Sequence, residues 1–186
     1  MKTSIAYDCP GNFVVGDAYE VCTKLEKHSA DFVFLDPIYE QQEIIKALDL
    51  GFWLRKREGA LICFMYPEQL VNLDYHPDRI AHWVKPISPK NNTKQYPRFV
   101  EAIAVFHGSW FGPDLNFHAK TGVFFDTHIG AIIHPHQKPD SLVEKLIRTH
   151  CPPEGRIVDP FSGSRVLKRV ADRLGYESFS TDKKRW

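Results

Sequence analysis

The chain has 186 residues, a formal net charge of +1, 43% hydrophobic residues and four cysteines. That length fits one domain able to bury about 70% of its unfolded surface, and near-neutrality excludes a histone-like protein that grips nucleic acid by bulk charge alone. Cys9, Cys22, Cys63 and Cys151 form neither a C-x-x-C pair nor a disulfide framework, no stretch approaches the roughly 18 apolar residues of a membrane span, and the amino terminus lacks a basic segment followed by an apolar run; a reducing, cytoplasmic setting with free thiols is expected.

In chain order, NFVVGD (12–17) reads as a short strand ending near Asp17, and Val21 and Leu25 follow at helical spacing. DFVFLDPIY (31–39) is the most informative stretch. Its apolar run from Phe32 to Leu35 suits a strand crossing the sheet interior and surfacing at Asp36. Ile44, Ile45, Leu48 and Phe52 then recur at helical steps, with Gly59 beyond the helix end, and ALICFMY (60–66) is a second buried strand stopped by Pro67. Strands alternating with helices imply a parallel sheet with right-handed crossovers. RIAHWVKP (79–86) and FVEAIAVFHG (99–108) read as a hairpin-like pair at a sheet edge. Between 109 and 133 the pattern dissolves, apart from a candidate short strand at 123–125. Order resumes where Pro139 and Asp140 start a helix with Leu142, Leu146 and Ile147 on its apolar face, stopped by Pro152 and Pro153. GRIVDPFSGS (155–164) is strand then turn, Val166, Val170 and Leu174 share a helix face that ends at Gly175, and YESFSTD (176–182) is a last strand. No repeat or low-complexity linker divides residues 1–186, so a single domain is expected.

Two places carry chemistry. At 36–39 a carboxylate at a strand's carboxyl end, a proline whose carbonyl is free of ladder pairing and the aromatic ring of Tyr39 suit a planar, amino-bearing ring such as a nucleobase. At 159–164 (DPFSGS), Gly163 permits close backbone approach, and Ser164 leads into a helix whose first N–H groups lack partners. This is a candidate cofactor cradle. Asp182 ends the next strand roughly twenty residues later, where an acid can accept from a ribose diol. The G-x-G-x-x-G pattern is absent, since the turn reads Gly163-Ser164-Arg165, which favours a ribose cofactor without a pyrophosphate over a nicotinamide dinucleotide. Lys85, Lys90, Lys94 and Arg98, interleaved with Asn91, Asn92, Gln95 and Tyr96, form a candidate flap for nucleic-acid phosphates. His134 and His136 have no further ligand at metal spacing, so no metal is expected.

Taken together, VVGDAYEVCTKL, DFVFLDPIY, HWVKP, VEAIAVFHG, HPHQKPDSLVEKLI, RIVDPFSGS and STD resemble, in that order, the amino-group DNA methyltransferases of the permuted bacterial and phage type, whose D-P-P-Y segment precedes the S-adenosylmethionine segment. The resemblance spans nearly the whole chain. It implies a Rossmann-like methyltransferase fold: a mostly parallel seven-stranded sheet with one reversed strand, helices on both faces, and the first strand beside the last. It further implies S-adenosyl-L-methionine as cofactor, DNA as substrate, and Asp36, Pro37 and Tyr39 as the catalytic strand end. Asp17 would neighbour the cofactor's adenine, Asp159, Phe161, Gly163 and Ser164 would line the cofactor, Asp182 would hold its ribose, and Lys138 and Pro139 would lie beside its methionine part. Aspartate at the head of the motif favours adenine-N6 over cytosine-N4, where serine is more frequent. Three departures stand out: Ile38 replaces the second proline, Arg165 replaces a glycine, and the recognition region at 109–133 is brief. The brevity leaves room for a homodimer in which a second copy adds grip on DNA. Transfer to cytosine-N4 or RNA, and a catalytically silent nucleic-acid-binding module keeping the fold, remain the alternatives.

Overall fold

The computed structural model describes residues 13–85, 99–107, 121–127 and 136–184. Its strands are β1 (Phe13–Val15), β2 (Ala30–Leu35), β3 (Arg55–Met65), β4 (Arg79–Val84), β5 (Val100–Phe106), β6 (Val123–Phe124), β7 (Arg156–Asp159) and β8 (Glu177–Asp182). Its α-helices are α1 (Ala18–Cys22), α2 (Gln41–Leu54), α3 (Asp140–His150) and α4 (Val166–Leu174), with a 3-10 helix at Pro67–Asn72. The strands form one sheet in the order β1-β8-β7-β2-β3-β5-β4-β6.

Period-two alternation in the central strands decides which helix goes where. Val33 and Leu35 of β2, with Leu61, Cys63 and Met65 of β3, bury against α1 and α2 through Val21, Ile44, Ala47 and Leu48. Phe32, Phe34, Ile62 and Phe64 point the other way, into a second core with Leu142, Leu146 and Ile147 of α3 and Leu167 and Val170 of α4. Both faces are covered, as the unbroken apolar runs require. No described helix is long and apolar enough to cross a membrane.

Among the described residues the sheet has eight strands rather than the seven expected. The extra one is the two-residue β6, which runs parallel to β4 with His82 opposite Val123 and displaces β4 from the sheet edge. β4 and β5 do pair antiparallel, with Trp83 opposite Glu101. β3 also starts earlier than its apolar run: Ala30 pairs Arg55 while Phe32 pairs Ala60, so β3 bulges between them. The Arg55 guanidinium donates to the carbonyls of Arg57 (2.7 Å) and Gly59 (2.8 Å) in that bulge. A Cβ on Gly59 would lie 2.8 Å from the Ala30 carbonyl oxygen, which is why a glycine stands there.

The direction of β5 determines which residues gather at the sheet's rim. β1, β8, β7, β2 and β3 are parallel and bring their carboxyl ends to one side. β5 is antiparallel to both β3 and β4, so its beginning, Val100 and Glu101, arrives at that same rim beside the end of β4.

His150, at the end of α3, is buried against Phe32 with ring centroids 6.0 Å apart, and its Nδ1 has no hydrogen-bond partner among the described residues. Burial pushes its pKa down to about 4. A histidine depressed below its unfolded value stabilises the fold fully above pH 6.5, and that contribution is lost as pH falls through 4, about 3 kcal/mol in all. Urea unfolding between pH 7 and pH 4 is expected to show this slope, and His150→Phe to remove it. An identical pH slope in the variant would show that His150 is charged in the folded state.

Candidate active site

Asp36 emerges from β2 at the rim, and Pro37 turns the chain outward there. Both carboxylate oxygens of Asp36 accept from the Lys138 ammonium, at 2.7 and 2.6 Å. Lys138 stands just before α3, whose axis returns its first turn to the rim, and it is 3% exposed. The Tyr39 hydroxyl lies 3.1 Å from Asp36 Oδ1 and 2.7 Å from Glu101 Oε2. It has one proton for two carboxylates, and the shorter contact assigns that proton to Glu101. Glu101 is itself buried, 3.5 Å from the Lys138 ammonium, and pairs with Lys85. Phe64, Tyr39 and Trp83 surround the Lys138 ammonium at 4.8, 5.6 and 5.9 Å from their ring centroids. The Tyr39 ring meets Tyr66 edge-on at 4.8 Å, and its backbone carbonyl accepts from Gln69 Nε2 at 2.9 Å.

Two ammoniums thus balance two carboxylates, and the titrations reflect that enclosure. Burial holds the Asp36 carboxyl above the usual range, with Glu101 adding to it against the pull of Lys138. Burial opposes the charge on Lys138 too, yet Asp36 and Glu101 outweigh it and hold the ammonium above the ordinary lysine range. Glu101 is also penalised by burial, but Lys138 and Lys85 hold it below the ordinary glutamate range. Burial, Asp36 and Glu101 push the Tyr39 phenol well up, so it stays a hydroxyl.

The second part of the rim lies on β7, β8 and β1. Asp159 ends β7, the strand beside β2, and its Oδ1 accepts from the Phe161 N–H at 3.2 Å. Burial, then the charges of Asp36 and Asp182, keep its carboxyl well above the normal range against Phe161 and Lys138. The influence of Asp36 on Asp159 places the two strand ends in one electrostatic neighbourhood. The turn after Asp159 passes through Gly163 at φ 47° and Arg165 at φ 59°. Asp182 Oδ2 accepts the Gly163 N–H at 2.9 Å, and its backbone carbonyl accepts the Gly16 N–H at 2.9 Å, so one residue ties the turn to the first strand. Ser164 is buried, and the buried Ser162 Oγ has no hydrogen-bond partner among the described residues. Asp17 caps α1, accepting from Tyr19 N at 2.9 Å and pairing with Lys183 at 3.1 Å; burial acts to raise its carboxyl, but Lys183 and the cap hydrogen bonds hold it low. Tyr19 and Phe161 meet edge-on at 6.0 Å beside it. The Arg165 guanidinium lies 5.2 Å over the Phe13 ring.

Residues 82–185 match the family of N6/N4 amino methylases described as DNA methylase. The chain belongs to this family. Among solved structures it resembles the M1.HpyAVI complex with S-adenosylmethionine (18% identity, 94% of this chain and 93% of that one, TM-score 0.73). It also resembles the PvuII DNA methyltransferase, which is cytosine-N4-specific (14% identity, 92% and 81%, TM-score 0.75). At those identities the likeness establishes a shared fold.

Within this DNA methylase the rim gathers Asp36, Pro37, Tyr39 and Lys138 on one side and Asp17, Asp159, Phe161, Gly163, Ser164 and Asp182 on the other, with Pro139 as the N-cap of α3. The Lys138 side chain reaches Asp36 and Glu101, at the β2 end of the rim. Lys85, expected in a phosphate flap, instead pairs inward with Glu101, its ammonium 5.1 Å over the Trp83 ring; Lys90, Lys94 and Arg98 lie outside the described residues. Sequence reasoning passed over Glu101 and Trp83. The available signal was a lone acid inside the apolar run VEAIAVF, which a buried strand tolerates only with a partner. Among the described residues no His, Cys, Asp or Glu cluster is arranged to hold a metal.

Lys138→Met removes the ammonium that opposes burial at Asp36, so the Asp36 midpoint is expected to rise further, read by carboxyl 13C NMR. A carboxyl whose folded pKa exceeds its unfolded one stabilises the fold only while protonated. The cost of the substitution therefore grows as pH rises through that midpoint, toward about 3–5 kcal/mol for a broken buried pair. A midpoint that stays put or falls would contradict the pairing.

Proposed function

We propose that this chain is an S-adenosylmethionine-dependent methyltransferase acting on the N6 amino group of adenine in DNA. The observation that carries the reading is the shared rim, where Asp36 follows β2 and Asp159 ends the adjacent parallel strand β7, close enough that the Asp36 charge helps to raise the Asp159 carboxyl. An acceptor site and a donor site on neighbouring strand ends let two reactants meet without either crossing the sheet.

The donor side fits the cofactor. Asp182 accepts from the Gly163 and Lys184 N–H groups at the end of β8, the strand-end position from which a carboxylate reaches a ribose diol, and the buried Ser162 hydroxyl lacks a partner among the described residues. Gly163, at φ 47°, puts no side chain over the turn, Phe161 and Tyr19 offer aromatic surface near Asp17, and Asp159 and Ser164 complete the lining. Bound there, S-adenosylmethionine supplies an electrophilic methyl group on a sulfonium.

The acceptor side does the remaining work. An aromatic amino nitrogen is a weak nucleophile because its lone pair is spread into the ring. Asp36 and the Pro37 carbonyl accept its two N–H bonds and draw it toward tetrahedral geometry, each contact contributing about 1.5–3 kcal/mol. Asp36 then takes the proton released as the nitrogen becomes cationic. Swinging the base from the duplex costs a few kcal/mol, of which stacking on Tyr39, anchored through its hydroxyl on Glu101, returns about 1–3 kcal/mol. Aspartate at position 36 supports adenine over cytosine.

Transfer of labelled methyl to unmethylated duplex DNA is expected, with N6-methyladenine as the product nucleoside. Asp36→Ala is expected to lower kcat by on the order of 100-fold or more with cofactor affinity retained. N4-methylcytosine in the digest would reassign the base, and full activity in the variant would remove Asp36 from the mechanism.

A further inference from the structure

We infer that Glu101 is a second berth for the Lys138 ammonium, so that Lys138 holds the place of the acceptor amine on Asp36 and withdraws to Glu101 when that amine arrives. The inference deepens the proposed function and rests on it for the identity of the arriving group. Two donors compete for one carboxylate. Asp36 is the acceptor for the base's N–H bonds, yet both of its oxygens already receive N–H bonds from Lys138 at 2.7 and 2.6 Å. A lysine ammonium is a fair mimic of an amino group there, being a nitrogen with several N–H donors.

Three features equip the ammonium to move. Glu101 Oε2 is 3.5 Å away, so a shift of about 1 Å would bring it to charge-assisted hydrogen-bond distance. The ring centroids of Phe64, Tyr39 and Trp83 lie 4.8, 5.6 and 5.9 Å from the ammonium, and cation–π attraction has little directionality, so a shift of about 1 Å keeps the cation within their reach. The total charge of the enclosure is unchanged by the shift, because Lys85 and Lys138 balance Asp36 and Glu101 in either arrangement. A single buried carboxylate facing Lys138 would offer no such exchange, since leaving it would strand a buried cation. Glu101 is therefore a positioning residue that acts through Lys138.

The test is a crystal structure of the isosteric D36N chain together with kinetics of E101Q. In D36N the Lys138 Nζ is expected at about 2.7–2.9 Å from Glu101 and off the amide at position 36. An ammonium that stays on that amide, or leaves for solvent, overturns the switch whatever the activity. In E101Q, kcat is expected to fall about tenfold or more while cofactor affinity stays within about twofold, a split that general loss of packing would not produce; unaltered kcat also overturns the switch. If D36N moves the ammonium as expected while the wild-type chain methylates no duplex, the two berths stand and the functional reading beneath them falls.

Discussion

A lysine ammonium enclosed between two carboxylates is the constraint around which this molecule is built. Burying an unpaired charge costs several kcal/mol, so Lys138 and Asp36 must meet, and Glu101 is held by Lys85 and Lys138 together. Their meeting requires that the start of α3, the end of β2 and the start of β5 share one place. The reversal of β5 accomplishes this. Run parallel to its neighbours, β5 would carry Glu101 to the opposite edge of the sheet and leave Lys138 with one partner. Topology and site electrostatics are two aspects of one requirement.

The same economy governs the other half of the rim. Asp182 receives the Gly163 N–H on its side chain and the Gly16 N–H on its carbonyl, so the turn after β7 and the entry to α1 are set by one residue. Arg165, in a left-handed conformation, directs its guanidinium to the Phe13 ring. The substitution of a cation for the family's glycine is thereby met by a local aromatic contact. Ile38, where the family has proline, is exposed at the rim, and Pro37 alone turns the chain there.

Much of this was legible in the residues. The apolar runs at 32–35 and 60–66, each bounded by a proline beyond its end, marked the two central strands, and the helical spacing of Leu142, Leu146 and Ile147 marked α3. The strand-end carboxylates Asp36, Asp159 and Asp182 could be placed because a short apolar run ending in an acid has one natural reading in a parallel sheet. What escaped were contacts between residues distant in the chain. Lys138 sits 102 positions from Asp36, and local pattern carries no information on such a pair. Glu101 was hidden by its strand, where alternation is masked because both faces are buried. β6 was hard to delimit because two residues make no period.

The most direct test of the account is a double-mutant cycle on Asp36→Asn and Lys138→Met, followed by urea unfolding at neutral pH. If the pair is the buried contact on which the rim depends, the double variant will be more stable than the sum of the single losses allows, with a coupling of about 1–3 kcal/mol. Losses that add to within about 0.5 kcal/mol would mean that the two side chains do not depend on each other, and the account would fail at its base.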